Sequence, residues 1–248
     1  MLKRDPFALM GAGAAGSSSL VWLFDLDDTL HDASGASMGE LRDAMGTYIE
    51  RELGISSDEA SALRRRYWLR YGATLLGLVR HHGIKSAHFL HHTLLLPGLE
   101  ERVRGHQHDL AALARLPGRK FILTNAPAAY ARRVLGALGI SGWFDGLISI
   151  EDMHMFGHLR PKPDARMLRR VAARLRVHPS RCVLVEDSAA NLRGARRVRM
   201  HTVWMRRWLP AGSSREGARR CPAYVDHRVP SLRQLEKLAR GFAAKNRR

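Results

Sequence analysis

At 248 residues, 45% apolar and 26% charged, the chain has the composition of one large globular domain, or of one carrying a smaller insert, and wholesale disorder is excluded. Its two cysteines, Cys182 and Cys221, rule out a disulfide framework and a four-thiolate metal site, and no apolar run approaches the ~18 residues of a membrane span, so the expectation is a reduced, cytoplasmic, membrane-free protein. The net charge of +18 points to polyanionic or phosphorylated partners, nucleic acid among them, and half of that excess lies between Arg206 and Arg248.

Residues 1–19 read as a flexible tail. Lys3 and Arg4 precede a Gly-rich, weakly apolar stretch that does not resemble a signal peptide. Gly11 to Gly16 spells G-x-G-x-x-G, but a dinucleotide loop must follow a strand and open a helix, and this one does neither. Leu20-Val21-Trp22-Leu23-Phe24 is a continuous apolar run, the signature of a strand buried on both faces. From residue 32 to 96 no strand run occurs. Leu41, Met45, Tyr48, Ile49 and Leu53 form a helical stripe, Ser56 and Glu59 a capping box, and Tyr67, Leu75, Leu78, Val79, Phe89, Leu90 and Leu94 continue the helical spacing.

Beyond that insert, strand runs alternate with helical stripes. Lys120–Thr124, Leu147–Ser149, Cys182–Glu186 and His201–Trp204 read as strands. Tyr130, Val134, Leu135 and Leu138 mark one helix, and Met167, Leu168, Val171, Ala172 and Leu175 a second. Leu232, Leu235, Leu238 and Phe242 mark a third, opened by a Ser231/Gln234 capping box. The alternation predicts an α/β fold: a Rossmann-like parallel sheet flanked by helices. The core spans 20–31 and 97–248, with a small all-helical cap, 32–96, inserted after the first strand. That position is where open α/β sheets keep their ligand crevice, so the cap is expected to act as a lid.

Four segments carry chemistry. Asp25-Leu26-Asp27-Asp28 crowds three carboxylates after a buried strand, which costs stability unless a cation compensates. Side chains two apart on a strand point the same way, so Asp25 and Asp27 can converge, one attacking and the other moving a proton; otherwise the acids merely cap a turn. Thr124 and Asn125 end the second long strand with a hydroxyl and an amide, suited to an anionic oxygen or to capping the next helix. Arg160-Pro161-Lys162-Pro163 presents an ammonium from a stiff loop, suited to a phosphate. Glu186 and Asp187 end a third strand and could complete a cation site. His88, His91 and His92 share one helical face, but no Cys or Glu-x-x-His accompanies them to make a zinc site. Cys182, inside a strand run, is expected to be buried and inert.

These motifs, in this order from residue 20 to about 205, closely resemble the haloacid dehalogenase-like superfamily, and Phe24-Asp25-Leu26-Asp27-Asp28-Thr29-Leu30 resembles its first motif. The resemblance implies an aspartyl-phosphate formed on Asp25, with Asp27 protonating the leaving alkoxide and then activating water. It implies that Thr124, Asn125 and Lys162 hold the phosphoryl group. Mg²⁺ is implied as the cofactor, held by Asp25, Asp187 and the backbone carbonyl of Asp27. Phosphate chemistry, rather than carbon–halogen hydrolysis, is the expectation. Arg70-Tyr71-Gly72-Ala73-Thr74-Leu75-Leu76-Gly77-Leu78 with His81-His82-Gly83-Ile84 is similar to the cap of the pyrimidine 5′-nucleotidase branch, although His31 stands where that branch usually has Tyr. The implied substrate is a small phosphorylated metabolite, a pyrimidine nucleoside 5′-monophosphate first.

Overall fold

The computed structural model describes residues 20–208 and 221–245, with side chains to Phe242. The expected tail, its Gly-rich loop and part of the basic C-terminal stretch lie outside the described residues. Two compact units are present. One comprises the described residues up to Asp32 and from Arg104 onward; the other is Ala33–Val103.

The first unit is built on a six-stranded parallel sheet of β1 (Val21–Phe24), β2 (Arg119–Leu123), β3 (Gly146–Ile148), β6 (Cys182–Glu186), β7 (His201–Met205) and β8 (His227–Val229). Their order across the sheet is β3-β2-β1-β6-β7-β8. A separate two-stranded ribbon pairs β4 (His154–Met155) with β5 (His158–Leu159). β8 escaped the sequence reading because three residues, one of them a charged Arg228, leave no apolar run to detect.

The alternation of β1 divides the core. Val21 and Leu23 face one side, where they join Phe121, Leu123, Cys182 and Leu184 beneath two helices, α9 (Ala165–Arg174) and α10 (Ala189–Arg197). Trp22 and Phe24 face the other side. There Trp22 meets Phe242 of α11 (Leu235–Lys245) and Phe24 meets Phe144, each edge-to-face. α7 (Gln107–Arg115) and α8 (Ala128–Ala137) complete the helices of this unit.

Register fixes where the chemistry emerges. Phe24 is paired with Ile122 of β2 and with Val185 of β6. Asp25, Thr124 and Glu186 therefore leave the sheet at one edge, and the Asp25 N–H donates to the Val185 carbonyl at 3.0 Å. The chain turns from β1 toward β2 and β3 on one side and later fills β6, β7 and β8 on the other. β1 thus borders the switch point at which such sheets bind ligands.

The second unit is all-helical: α1 (Ala33–Ala36), α2 (Met38–Leu53), α3 (Ser57–Tyr71), α4 (Thr74–His82), α5 (Ser86–Thr93) and α6 (Leu99–Arg102). The capping box at α3 forms as expected, with Ser56 accepting from Glu59 N–H and the Glu59 carboxylate accepting from Ser56 N–H. The box expected at Ser231 does not form. Residues 232–234 tighten into a 3₁₀ turn, so Ser231 Oγ accepts from Arg233 N–H, one residue before Gln234, while its hydroxyl donates to the buried Asp109. No described helix is long and apolar enough to cross a membrane.

Candidate active site

The site grows from the ends of β1, β2 and β6 and from the loop before α9. Lys162 sits at its centre, 1% exposed. Its Nζ donates to Asp25 Oδ1 and to Glu186 Oε2, each at 2.7 Å. A buried ammonium between two carboxylates stays charged: burial works against it, but Asp25 and Glu186 outweigh burial and hold its pKa above the ordinary lysine value.

Two devices hold that lysine in place. Pro161 and Pro163 keep its loop out of helix or strand, so the Lys162 peptide groups have no regular partner. Asn125 supplies both halves, accepting from Lys162 N–H at 2.9 Å and donating from Nδ2 to the Lys162 carbonyl at 3.0 Å. The Asn125 side chain thus holds the lysine loop in place. The second device is close packing by Gly194 of α10, where any Cβ would stand 2.3 Å from the Pro163 carbonyl oxygen. Asp164 then caps α9, accepting from Arg166 N–H at 2.7 Å and Met167 N–H at 3.2 Å.

The acids divide into two electrostatic classes. Burial opposes the charge of Glu186, but Lys162 prevails and keeps it below the ordinary glutamate value. Glu186 also accepts from Ser188 N–H at 3.1 Å. Asp25 is held well above the carboxylate range, first by burial and then by the Glu186 charge, against the pull of Lys162. Asp187 is pushed up to about 10, by burial and by the charges of Glu186 and Asp25. Its backbone is anchored by Trp204 Nε1, which donates to the Asp187 carbonyl at 2.7 Å.

One lysine therefore balances one carboxylate and leaves Asp25 and Asp187 in surplus. Carboxylate oxygens of Asp25, Glu186 and Asp187 lie within 4.8 Å of one another, the only such metal-binding grouping among the described residues. Hard oxygen donors with two uncompensated charges fit Mg²⁺, which takes few protein carboxylates and keeps its waters. The histidines of α5 do not make a rival site. His88 Nδ1 is bonded to Tyr48 Oη at 2.8 Å, and the His88 and His92 rings pack edge-to-face at 4.4 Å.

Asp27 stands outside that acid group. Its Oδ1 takes two hydrogen-bond contacts, from Tyr130 Oη at 2.9 Å and from His31 Nε2 at 3.0 Å. His31 is fully buried, and a parallel bridge joins its backbone to that of Asp27. Sequence reading missed both partners. Tyr130 counted as one apolar position of a helical stripe, and His31 only as a departure from the nucleotidase branch's usual Tyr. The signal for Tyr130 is its hydroxyl, since a buried Tyr at a core position needs a polar partner.

Thr124 is 1% exposed, and its Oγ1 accepts from Ala126 N–H at 2.9 Å, which leaves the hydroxyl proton to donate. Asp28 adopts a left-handed backbone, φ 54°, that turns the chain after Asp27. Cys182 is buried and burial pushes its thiol up to about 12, so it is inert. In the helical unit Tyr67 is buried and stacked on His81, while Tyr71 Oη bonds His81 Nε2 at 2.6 Å. Trp68 remains 59% exposed.

Known proteins resemble this chain in sequence and fold. A family model for haloacid dehalogenase-like hydrolases matches residues 21–199. The "Phosphate metabolism protein 8" of Saccharomyces cerevisiae is 27% identical over 137 residues, 51% of this chain and 42% of the yeast protein. The "Fructose-1-phosphate phosphatase YqaB" of Escherichia coli is 31% identical over 83 residues, 34% of this chain and 42% of that protein. The matched regions span about two fifths of the length of these curated relatives. A haloacid dehalogenase-like phosphatase from Thermococcus onnurineus has a similar fold, with TM-score 0.58, 23% identity, and coverage of 88% of this chain and 97% of that one. With most of its length matched by the family model, and with the motif residues Asp25, Lys162 and Asp187 gathered at one sheet edge, the chain belongs to the haloacid dehalogenase-like hydrolase family.

Proposed function

We propose that this chain is a Mg²⁺-dependent phosphomonoesterase that works through an aspartyl-phosphate on Asp25. The observation that carries the reading is the buried lysine bridging Asp25 and Glu186, with Asp187 beside them in surplus negative charge. Phosphoryl transfer asks mainly for alignment and positive charge around the moving group, and a lysine plus a dication meets that demand.

Asp25, Asp187 and the Asp27 carbonyl would hold the metal, and Mg²⁺ would neutralise charge on the phosphoryl oxygens. The Asp25 carboxylate attacks phosphorus and forms a P–O bond as the bond to the alkoxide breaks. Asp27, held by Tyr130 and His31, gives its proton to that alkoxide. It then takes a proton from the water that attacks the aspartyl-phosphate, releasing inorganic phosphate and restoring Asp25. The Thr124 hydroxyl and the Asn125 peptide N–H serve as donors to the phosphoryl oxygens, and Lys162 steadies both Asp25 and the incoming charge.

A pyrimidine nucleoside 5′-monophosphate is the first substrate. The likeness of residues 70–84 to the cap of that nucleotidase branch supports this choice. A sugar phosphate is the second reading, favoured by the partial match to a fructose-1-phosphate phosphatase. A phosphate-release screen over nucleoside monophosphates, sugar phosphates and phosphoglycolate decides between them. Highest kcat/KM on UMP or CMP supports the first reading, and fructose 1-phosphate in the lead replaces it with the second. Asp25→Asn abolishes turnover while the melting curve persists, and EDTA stops it reversibly. Wild-type turnover by Asp25→Asn would disprove the nucleophile.

A further inference from the structure

A second concentration of positive charge, besides the C-terminal stretch, lies on one surface of the sheet unit. Between Ala165 and Arg199 the sequence has ten arginines, and its only carboxylates are Glu186 and Asp187, both taken up in the site. α9 and α10 bury their apolar stripes on the Val21/Leu23 side of the sheet, so their outer faces lie together on that side. Arg193 packs over the Tyr224 ring and Arg196 pairs with Asp226. The guanidinium groups of Arg166, Arg169, Arg176, Arg197 and Arg199 are exposed and have no ion pair, hydrogen bond or ring partner among the described residues.

The opposite side of the sheet is different. There Arg115 is paired with Glu236 at 2.8 Å, and nearby Arg207 is held by the buried Asp109 at 2.7 Å. Arginines pair where acids are supplied, and α9 with α10 supply none on the outer face. Arg166 and Arg169 on α9, Arg197 on α10, and Arg176 and Arg199 just past the C-terminal ends of the two helices are like charges with no acid to offset them; their repulsion destabilises the fold, and a polyanion relieves it.

We propose that the outer face of α9 and α10 is a docking surface for the phosphodiester backbone of duplex nucleic acid. Each helix is about 15 Å long, and a duplex carries one charge per about 1.7 Å of axis, so several phosphates face the row at once. Guanidinium forks match phosphate oxygens bidentately. An anionic membrane is the other polyanion of this kind. Surface binding to lipid uses exposed apolar anchors, and the exposed large apolar side chains, Trp68, Leu69, Leu95 and Phe156, all lie off these two helices. The contact reads backbone charge and no base sequence. It is independent of the hydrolytic site, which keeps its own residues.

The test is fluorescence anisotropy of a labelled duplex of mixed sequence, titrated with the full chain between about 50 and about 200 mM salt. Wild type is expected to bind with a steep negative salt slope. The variant R166Q/R169Q/R176Q/R197Q/R199Q flattens that slope by about 4 to 5, and the milder pairs R166Q/R169Q and R197Q/R199Q by about 2 each. The control R42Q/R65Q/R132Q/R228Q/R233Q has the same net charge and retains the wild-type slope. Equal losses in the face and control variants would overturn the proposal, because net charge alone would then explain binding. No duplex binding by wild type at the low-salt end, or tighter binding to phosphatidylserine vesicles than to the duplex, would overturn it as well. Should the fivefold variant fail to fold, the two pairs carry the decision.

Discussion

Removing the central lysine tests the electrostatic reading of the site most directly. Lys162→Met keeps the volume of the side chain and deletes its charge. At 2.7 Å each contact with Asp25 and Glu186 is worth about 6 kcal/mol at an effective dielectric of about 20, before the cost of burying the ions. Desolvation cancels most of that gross figure. Breaking a buried pair on one side nevertheless costs about 3–5 kcal/mol, because the stranded carboxylates have no water. The loss is expected to be largest at high pH. Acidification protonates Asp25 and Glu186 and relieves the stranded charge, so the gap to wild type narrows below neutral pH. The second variant, Lys162→Met with Glu186→Gln, removes one stranded charge and is expected to recover at least half of the lost stability but none of the hydrolysis. Urea unfolding at two pH values, with phosphate release measured alongside, reads both quantities. A Lys162→Met protein within about 1 kcal/mol of wild type at high pH would refute the idea that this ammonium is the counter-ion of the two acids.

Three further outcomes follow from other contacts. Gly194→Ala gains about 1 kcal/mol of helix propensity but drives a Cβ to 2.3 Å from the Pro163 carbonyl oxygen; the clash wins, with a net loss of about 1–2 kcal/mol in urea melts and a lower kcat as Lys162 shifts. Tyr130→Phe removes one of the two contacts that orient the Asp27 carboxyl and is expected to lower kcat about tenfold on alkyl phosphates with little change in KM, the loss of about one hydrogen bond; aryl phosphates, whose leaving groups need little protonation, are spared, and equal losses on both would count against Asp27 as the acid. Asp226 ties β7 to the segment before β8 by accepting from Thr202 N–H at 2.9 Å and Arg196 Nη1 at 3.1 Å. Burial would raise its pKa, but the His201, Thr202 and Arg196 contacts lower it from 3.8 to about 2. Because the folded value is depressed, this stability, about 2 kcal/mol, is complete above about pH 4 and vanishes as pH falls toward 2. Asp226→Asn should therefore be less stable at neutral pH and show less acid-induced loss than wild type, and parallel acid melts of the two proteins would contradict the assignment.

Five of the six strands of the main sheet, and the sheet type, were legible without coordinates. Leu20–Phe24 and Cys182–Glu186 are continuous apolar runs, and only a parallel sheet covered on both faces makes such runs stable. Asp25, Lys162 and Asp187 were legible because each combines an unusual local chemistry with a strand end or a proline-stiffened loop. Charge surplus was legible too, as composition. What tertiary structure decided was pairing. Asn125 reaches the lysine loop, 37 residues away, because Pro161 and Pro163 leave the Lys162 peptide groups with no other partner. Tyr130 and Asp27 lie 103 residues apart, and no local pattern tells a core tyrosine that its hydroxyl ends on that carboxylate. The capping box at Ser231 gave way to a 3₁₀ turn in which Ser231 Oγ takes the Arg233 N–H, while the hydroxyl proton went to Asp109, 122 residues away. Periodicity and composition are properties of neighbours along the chain, and they report which elements form. Hydrogen-bond partners and charge balance are set by which chain segments the register brings to one edge, and that information exists only after folding.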